Sequence, residues 1–260
     1  MNLCSANKSV DIEVGEFIRN VNSLKEESIT DFLVWQWRKL DKRFNYISVS
    51  PFDREQESKL TGADYAMELW VVGKTHAIPL LFQAKKIIKP FNAYKAALNY
   101  PDNTNAQMRK LLQYAKKTRK LPFYMFYSMP GSGSKTMCAM GLSGSNVTVF
   151  MADALEVRAM ANSSVKKLSR DDILAKSNPF QCLFCCPLSA MTTNGTSDLE
   201  GLRNYFERYF PKLTEVPRLR DNMVSINKVD ATVQSLLEGI TPDEPPRRPC
   251  RIVATLKISG

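Results

Sequence analysis

The run Pro79-Leu80-Leu81-Phe82-Gln83-Ala84-Lys85-Lys86-Ile87 constrains this chain more than any other feature. It is nearly continuous in apolar residues, the pattern of a strand covered on both faces and therefore central in a sheet. Tyr65 to Val72, rich in aromatic and β-branched residues, reads as its neighbour, and Gly73-Lys74 is a turn signal between the two. A hairpin closing near Lys74-Thr75 with Val72 opposite Ala77 places Asp64 opposite Lys85 and Ala66 opposite Gln83. Side chains alternate faces, so Asp64, Gln83 and Lys85 cluster at one end of the hairpin. A one-residue slip would break that cluster.

The surrounding elements fit such a sheet. Residues 9–40 read as two helices divided near Asn22-Ser23, with Ser23 the expected N-cap of the second. Phe44 to Ser50 suggests a strand and Pro51 to Leu60 a polar loop. Residues 104–118 read as a helix with Met108, Leu111, Leu112 and Ala115 on one face, and Pro122 to Tyr127 as a third apolar strand. Residues 146–161 read as a strand and then a helix, Leu199 to Tyr209 and Val229 to Leu237 as helices, and Arg251 to Ser259 as a terminal strand. No internal repeat is present. The order implies an α/β fold, a mixed sheet flanked by helices, with its core sheet from about Phe44 to Phe150. Residues 1–160 are expected to form the core, and residues 161–260 a helical and irregular extension packed on it.

The clustered residue types have a shared chemistry. A carboxylate and an amide oxygen are hard ligands suited to Mg²⁺ or Mn²⁺. A metal held there would acidify water and neutralise charge on a phosphate. Lys85 could position that water or stabilise the charged transition state, and a lysine on an apolar central strand is costly without such a purpose. Charge points the same way. The chain carries 36 Lys+Arg against 26 Asp+Glu, a net +10. From Leu81 to Lys120 there are ten basic residues and one acid, Asp102, so +9 of that charge lies in one segment. A field of that kind favours a polyanion over a merely solvated helix face, given the site beside it. His76 is the sole histidine and sits in a turn, which argues against Ser-His-Asp, Cys-His and histidine-metal catalysis.

Gly62-Ala63-Asp64 followed by Gln83-Ala84-Lys85 on the second strand of a hairpin resembles the PD-(D/E)xK, or restriction-endonuclease-like, nuclease superfamily, in its divergent members with Gln for the second acid. Glu27, in Glu26-Glu27-Ser28-Ile29-Thr30, resembles the helical acid that precedes the sheet in many members. Gln107-Met108-Arg109-Lys110-Leu111-Leu112 and then Pro122 to Tyr127 resemble the helix and strand that follow the lysine. The likeness spans about residues 10–128 and is similar to that of small bacterial proteins of the superfamily. It implies a restriction-endonuclease-like core, Asp64 and Gln83 as metal ligands, Lys85 as the catalytic lysine and Glu27 as an accessory ligand. Because a neutral amide binds a cation more weakly than a carboxylate, Glu27, Glu68 or Glu57 must compensate. The implied activity is Mg²⁺- or Mn²⁺-dependent hydrolysis of DNA, with RNA second, in a setting of phage defence or mobile-element control. Lys86, Lys89, Lys95, Gln107, Arg109 and Lys110 are the expected nucleic-acid contacts. Two other classes stay open: a nucleic-acid-binding module without catalysis, and an effector subunit active only with a partner or signal docked on residues 160–260.

Other signals are weaker. Pro130 to Thr136 lacks the glycine that a phosphate-binding loop places before its Lys-Thr, and reads as a flexible surface loop. Cys182-Leu183-Phe184-Cys185-Cys186 holds one CxxC with no second pair, so Cys4, Cys138, Cys182, Cys185, Cys186 and Cys250 are expected to be reduced thiols. Trp35 and Trp70 are expected in the core, with Tyr94 and Tyr100 the better candidates for contacting bases. Lys116-Lys117-Thr118-Arg119-Lys120 complements a helix C-terminus without any ligand. No run approaches the ~18 apolar residues of a membrane span, and the N-terminus lacks a secretory pattern. The expectation is a cytoplasmic protein with no membrane partner, acting as a homodimer or with a complex partner.

Overall fold

The computed structural model describes residues 3–44, 47–51, 67–100, 104–138, 147–186, 199–215, 222–240 and 252–257. In chain order these form α1 (Leu3–Asn20), α2 (Glu26–Phe44), β1 (Ile47–Pro51), β2 (Met67–Val72), β3 (His76–Lys86), α3 (Lys95–Leu98), α4 (Ala106–Thr118) and β4 (Leu121–Tyr127). There follow β5 (Val149–Asp153), α5 (Ala154–Asn162), α6 (Arg170–Leu174), β6 (Asn178–Pro179), α7 (Cys182–Cys185), α8 (Glu200–Tyr209), β7 (Val224–Ser225), α9 (Ala231–Leu237) and β8 (Ile252–Lys257).

The apolar strand is central. β3 pairs antiparallel with β2, from Met67↔Phe82 to Val72↔Ala77, which is the expected register. On its other edge β3 runs parallel to β4 from Leu80 onward and meets β7 at His76 and Ala77. Pro79, which has no N–H to donate, falls in the interval between those two ladders. The described strands form one eight-stranded mixed sheet in the order β1-β8-β2-β3-β4-β5-β6, with β7 beside β3.

Alternation along β3 divides the core in two. Ile78, Leu80, Phe82 and Ala84 face one layer with Val10 and Val14 of α1, Ile29, Leu33 and Trp37 of α2, and Phe206 of α8. Ala77 and Leu81 face the other, with Met108, Leu111 and Ala115 of α4, Val157 of α5 and Val233 of α9. The protein is therefore a mixed α/β fold with helices on both faces of its sheet. α1 approaches β5 closely. The Asp11 carboxylate accepts from Thr148 N, Thr148 Oγ1 and Val149 N at 2.7–2.9 Å. Gly15 has no room for a side chain there, because a Cβ would stand 2.8 Å from the Thr148 methyl.

The structure departs from the sequence reading at several points. β8 lies between β1 and β2, antiparallel to the first and parallel to the second, so the sheet is not confined to Phe44–Phe150. Residues beyond 160 supply β6, β7 and β8 to that same sheet. Ile252 to Leu256 are all buried, the same two-faced signal as in β3. Ser23 does not cap α2: it takes a left-handed conformation, φ 58°, in the turn three residues ahead of Glu26. Trp35 is half exposed under the Lys39 ammonium, and Trp37 fills the core position instead. The thiols are not all reduced, since Cys4 and Cys185 form a disulfide between α1 and α7, with Cα atoms 4.9 Å apart. Cys138, Cys182 and Cys186 are buried thiols, with the Cys138 and Cys182 sulfurs 3.5 Å apart. Among the described residues no helix is long and apolar enough to cross a membrane.

Candidate functional site

The candidate site lies at the C-terminal end of β3, where the apolar pattern gives way to Gln83, Lys85 and Lys86. Gln83 is buried. Its Nε2 makes only a 3.5 Å contact with Ala84 O, and its Oε1 has no hydrogen-bond partner. An orphaned buried acceptor is costly, on the order of 1–3 kcal/mol. Lys85 Nζ stands 3.7 Å from Glu26 Oε2 and 5.6 Å from the centre of the Tyr100 ring. Its side chain is 12% exposed and that of Glu26 33%.

Glu26 is the acid that reaches the sheet; Glu27 is exposed. Glu26 Oε1 also accepts from Lys86 N at 3.0 Å, and Lys86 Nζ donates to Leu24 O just ahead of α2. The phase of α2 explains the one-residue difference. Glu26 precedes Ile29, Leu33 and Trp37 by three, seven and eleven residues, and so shares their buried stripe. Its place in the first helical turn also sets its charge against the positive end of the helix dipole. Thr30 Oγ1 and Tyr127 Oη, 2.8 Å apart, lock α2 to β4 beside this point. Burial pushes the Tyr127 phenol far up, the Thr30 bond opposes this and the Glu26 charge adds to it, so Tyr127 stays neutral.

The other expected residues divide sharply. Asp64, Glu57 and the Thr61-to-Ala66 segment lie outside the described residues, as does Cys250. Glu68 is buried, but it is not a candidate ligand. Its carboxylate meets Lys120 Nζ at 2.6 Å and accepts from Trp70 Nε1 at 2.8 Å. Lys95 is a structural tether, donating to Ser163 O and Val165 O at 2.5 and 2.9 Å. Gln107 is buried, with Oε1 unpartnered, and so does not form part of an outer surface. Lys89, Arg109 and Lys110 are exposed. Tyr100 is 54% exposed. Tyr94 is buried; its hydroxyl accepts from Lys89 N and donates to Lys89 O, both at 2.9 Å.

Just beyond the end of β3, the chain is held by a residue that no motif marks. Arg170, almost wholly buried, donates to Met129 O at 2.6 Å and to Ile88 O at 3.5 Å, tying together the segments that leave β4 and β3. The glycine-rich loop above it is held, not loose. Ser134 Oγ donates to Asp171 Oδ1 at 2.5 Å and accepts from Gly131 N at 2.9 Å. The Arg170 bonds run from side chain to backbone and the Ser134–Asp171 bond between two side chains, each across distant segments that sequence spacing does not reveal.

These groups fit a hard divalent cation in kind. Gln83 offers a neutral oxygen with no other partner, and Glu26 offers charge. Glu68 is spent on Lys120. Among the described residues no three His, Cys, Asp or Glu side chains converge as a metal cluster. An ammonium has three donors, so Lys85 keeps capacity for an anionic oxygen beside Glu26.

A family model matches residues 3–253, and the chain belongs to that family, described as a family of unknown function (DUF6615). No curated protein and no solved structure matches it significantly.

Proposed function

We propose that this chain is a divalent-metal-dependent nuclease with a restriction-endonuclease-like core, hydrolysing phosphodiester bonds in DNA. The observation that carries this reading is the end of β3. There a buried amide oxygen without a partner and a largely sheltered lysine beside a carboxylate sit on the strand whose register with β2 is the one the motif requires. Asp64 and Gln83 would hold Mg²⁺ or Mn²⁺, with Glu26, in place of Glu27, as the accessory acid. When bound, such a cation supplies a water of lowered pKa and offsets charge at phosphorus. Lys85 binds a non-bridging phosphate oxygen and holds the attacking water in line, and Glu26 keeps that ammonium aimed across the strand end. Exposed Lys89, Arg109 and Lys110 hold the flanking backbone.

The test is cleavage of plasmid DNA in Mg²⁺ or Mn²⁺ by the native chain, Asp64→Ala and Lys85→Ala. Nicking by the native protein that both substitutions abolish supports the reading, and cleavage that persists in both overturns it. A second reading, a nucleic-acid-binding module without catalysis, is favoured by one observation: the strand carries neutral Gln83 where the superfamily pattern has an acid. DNA binding with no divalent-cation requirement and no cleavage would select it.

A further inference from the structure

The segment between Lys85 and Tyr100 carries an aromatic side chain that the proposed chemistry does not use. Phe91 is 98% exposed, in a fold that buries most of its other aromatic rings. A single exposed apolar side chain is ordinary on a protein surface, so it is the near-complete exposure of this ring together with the support beneath it that sets Phe91 apart.

This side chain is presented on a braced support. Ile87 N donates to Tyr127 O at 2.9 Å, and Ser128 Oγ donates to Ile87 O at 3.0 Å. Arg170 reaches Ile88 O, and the Tyr94 hydroxyl ties both the N–H and the carbonyl of Lys89. Tyr94 N in turn donates to Leu168 O at 2.8 Å. The chain is thus fastened on both sides of Pro90-Phe91-Asn92-Ala93, and the ring stands at the tip of a held turn.

Charge decides what would cover it. The segment from Lys85 to Tyr100 contains no acid, and Lys89, two residues before Phe91, is exposed, whereas Lys85, Lys86 and Lys95 already meet Glu26, Leu24 O and the carbonyls of Ser163 and Val165. Tyr100, also half exposed, lies against the Lys85 ammonium at the other end of the segment. An apolar protein partner would leave the acid-free, cationic segment around Lys89 unmatched, whereas a nucleic-acid strand supplies a phosphate for Lys89 and a flat ring for the phenyl group.

We infer that Phe91 is a base-stacking platform which engages an unpaired nucleobase, so that the site takes single-stranded DNA or a frayed duplex end in preference to an intact helix. The inference rests on the nuclease reading only for its nucleic-acid partner. A fully stacked duplex offers no free base face, so the ring discriminates by requiring a base already out of the stack. Lys89 holds the neighbouring phosphate.

The experiment is binding of a 2-aminopurine-labelled oligonucleotide, single-stranded or annealed to its complement, in EDTA so that no cleavage intervenes. The proteins are the full chain, Phe91→Ala, Phe91→Leu and Phe91→Trp. The native chain is expected to quench the probe in the single strand and to bind it more tightly than the duplex. Phe91→Ala and Phe91→Leu are expected to weaken single-strand binding by about 5- to 150-fold, the equivalent of the ~1–3 kcal/mol of one stacked base. Phe91→Trp is expected to retain both affinity and quenching. Equal single-strand affinity in native chain and Phe91→Ala overturns the inference and leaves the nuclease reading standing, as does full affinity in Phe91→Leu, which would mark apolar contact without stacking. A native chain that binds neither form overturns the inference, whereas the nuclease reading stands or falls on plasmid cleavage in Mg²⁺ or Mn²⁺.

Discussion

Two lysine–carboxylate pairs lie on this sheet, and they are built differently. Lys120 and Glu68 are 8% and 0% exposed and 2.6 Å apart. The indole of Trp70 donates to the same carboxylate, and the rings of Trp70 and Tyr114 lie beside the ammonium. Lys85 and Glu26 are 12% and 33% exposed and 3.7 Å apart, with a half-exposed tyrosine alongside and a buried amide oxygen without a partner two residues away on the same strand. The first pair is closed on itself. The second is loose and keeps capacity for a ligand. Residue type alone does not separate them, and what does is whether the polar valences around each pair are filled.

The largest effect expected from this contrast is on stability. Glu68→Ala leaves the Lys120 charge buried without its partner and should cost about 3–5 kcal/mol, a fall in Tm of roughly 6–20 °C by thermal denaturation. Replacing both members, Glu68→Met with Lys120→Met, should recover much of that loss. A Glu68→Ala protein of native stability would break the comparison.

Next comes activity. Lys85→Met should lower cleavage by roughly 10²–10³-fold, the scale of removing one transition-state donor, and hold Tm near the native value. A third prediction concerns buried carboxylates that lack a close ion pair. Burial raises Asp11 to about 6 against its bonds from Thr148 and Val149, and raises Asp153 to about 7. Their folded-state values lie above the unfolded ones, so the folded protein binds more protons between about pH 4 and 7, and this part of the stability is lost as pH rises through that window. Asp11→Asn should remove roughly 1–3 kcal/mol of that decline, read as the difference in Tm between native and variant at pH 4.5 and pH 7.5. The same slope in both would contradict it. The smallest effect is Glu26→Gln, which keeps an acceptor for Lys86 N. It should change stability by only ~0.2–1 kcal/mol, with the change fading in high salt, because the pair is partly exposed.

The hairpin was legible because its determinants are local. Period-two alternation and one turn fix the pairing of Val72 with Ala77. Helical phase is a finer matter: in α2 it is Glu26, one residue before Glu27, that reaches β3, and Trp37, two residues after Trp35, that is buried. β8 was recognisable as a strand, but its insertion between β1 and β2 is a contact across most of the chain. Nothing local encodes that neighbour. The same holds for Cys4 with Cys185, separated by 181 residues, and for Lys95, whose acceptors are backbone carbonyls. Glu68 has the residue type of a ligand, yet Lys120 occupies its carboxylate, since chemistry of type is written in sequence and satisfaction is not.

The most direct measurement sets the two pairs against each other in one experiment: Tm and Mn²⁺-dependent cleavage of DNA, recorded together for Lys85→Met and Lys120→Met. The expected result is that Lys85→Met melts like the native protein and does not cleave, whereas Lys120→Met melts early and still cleaves below its Tm. A Lys85→Met protein that cleaves at the native rate would contradict the assignment of the site to the end of β3.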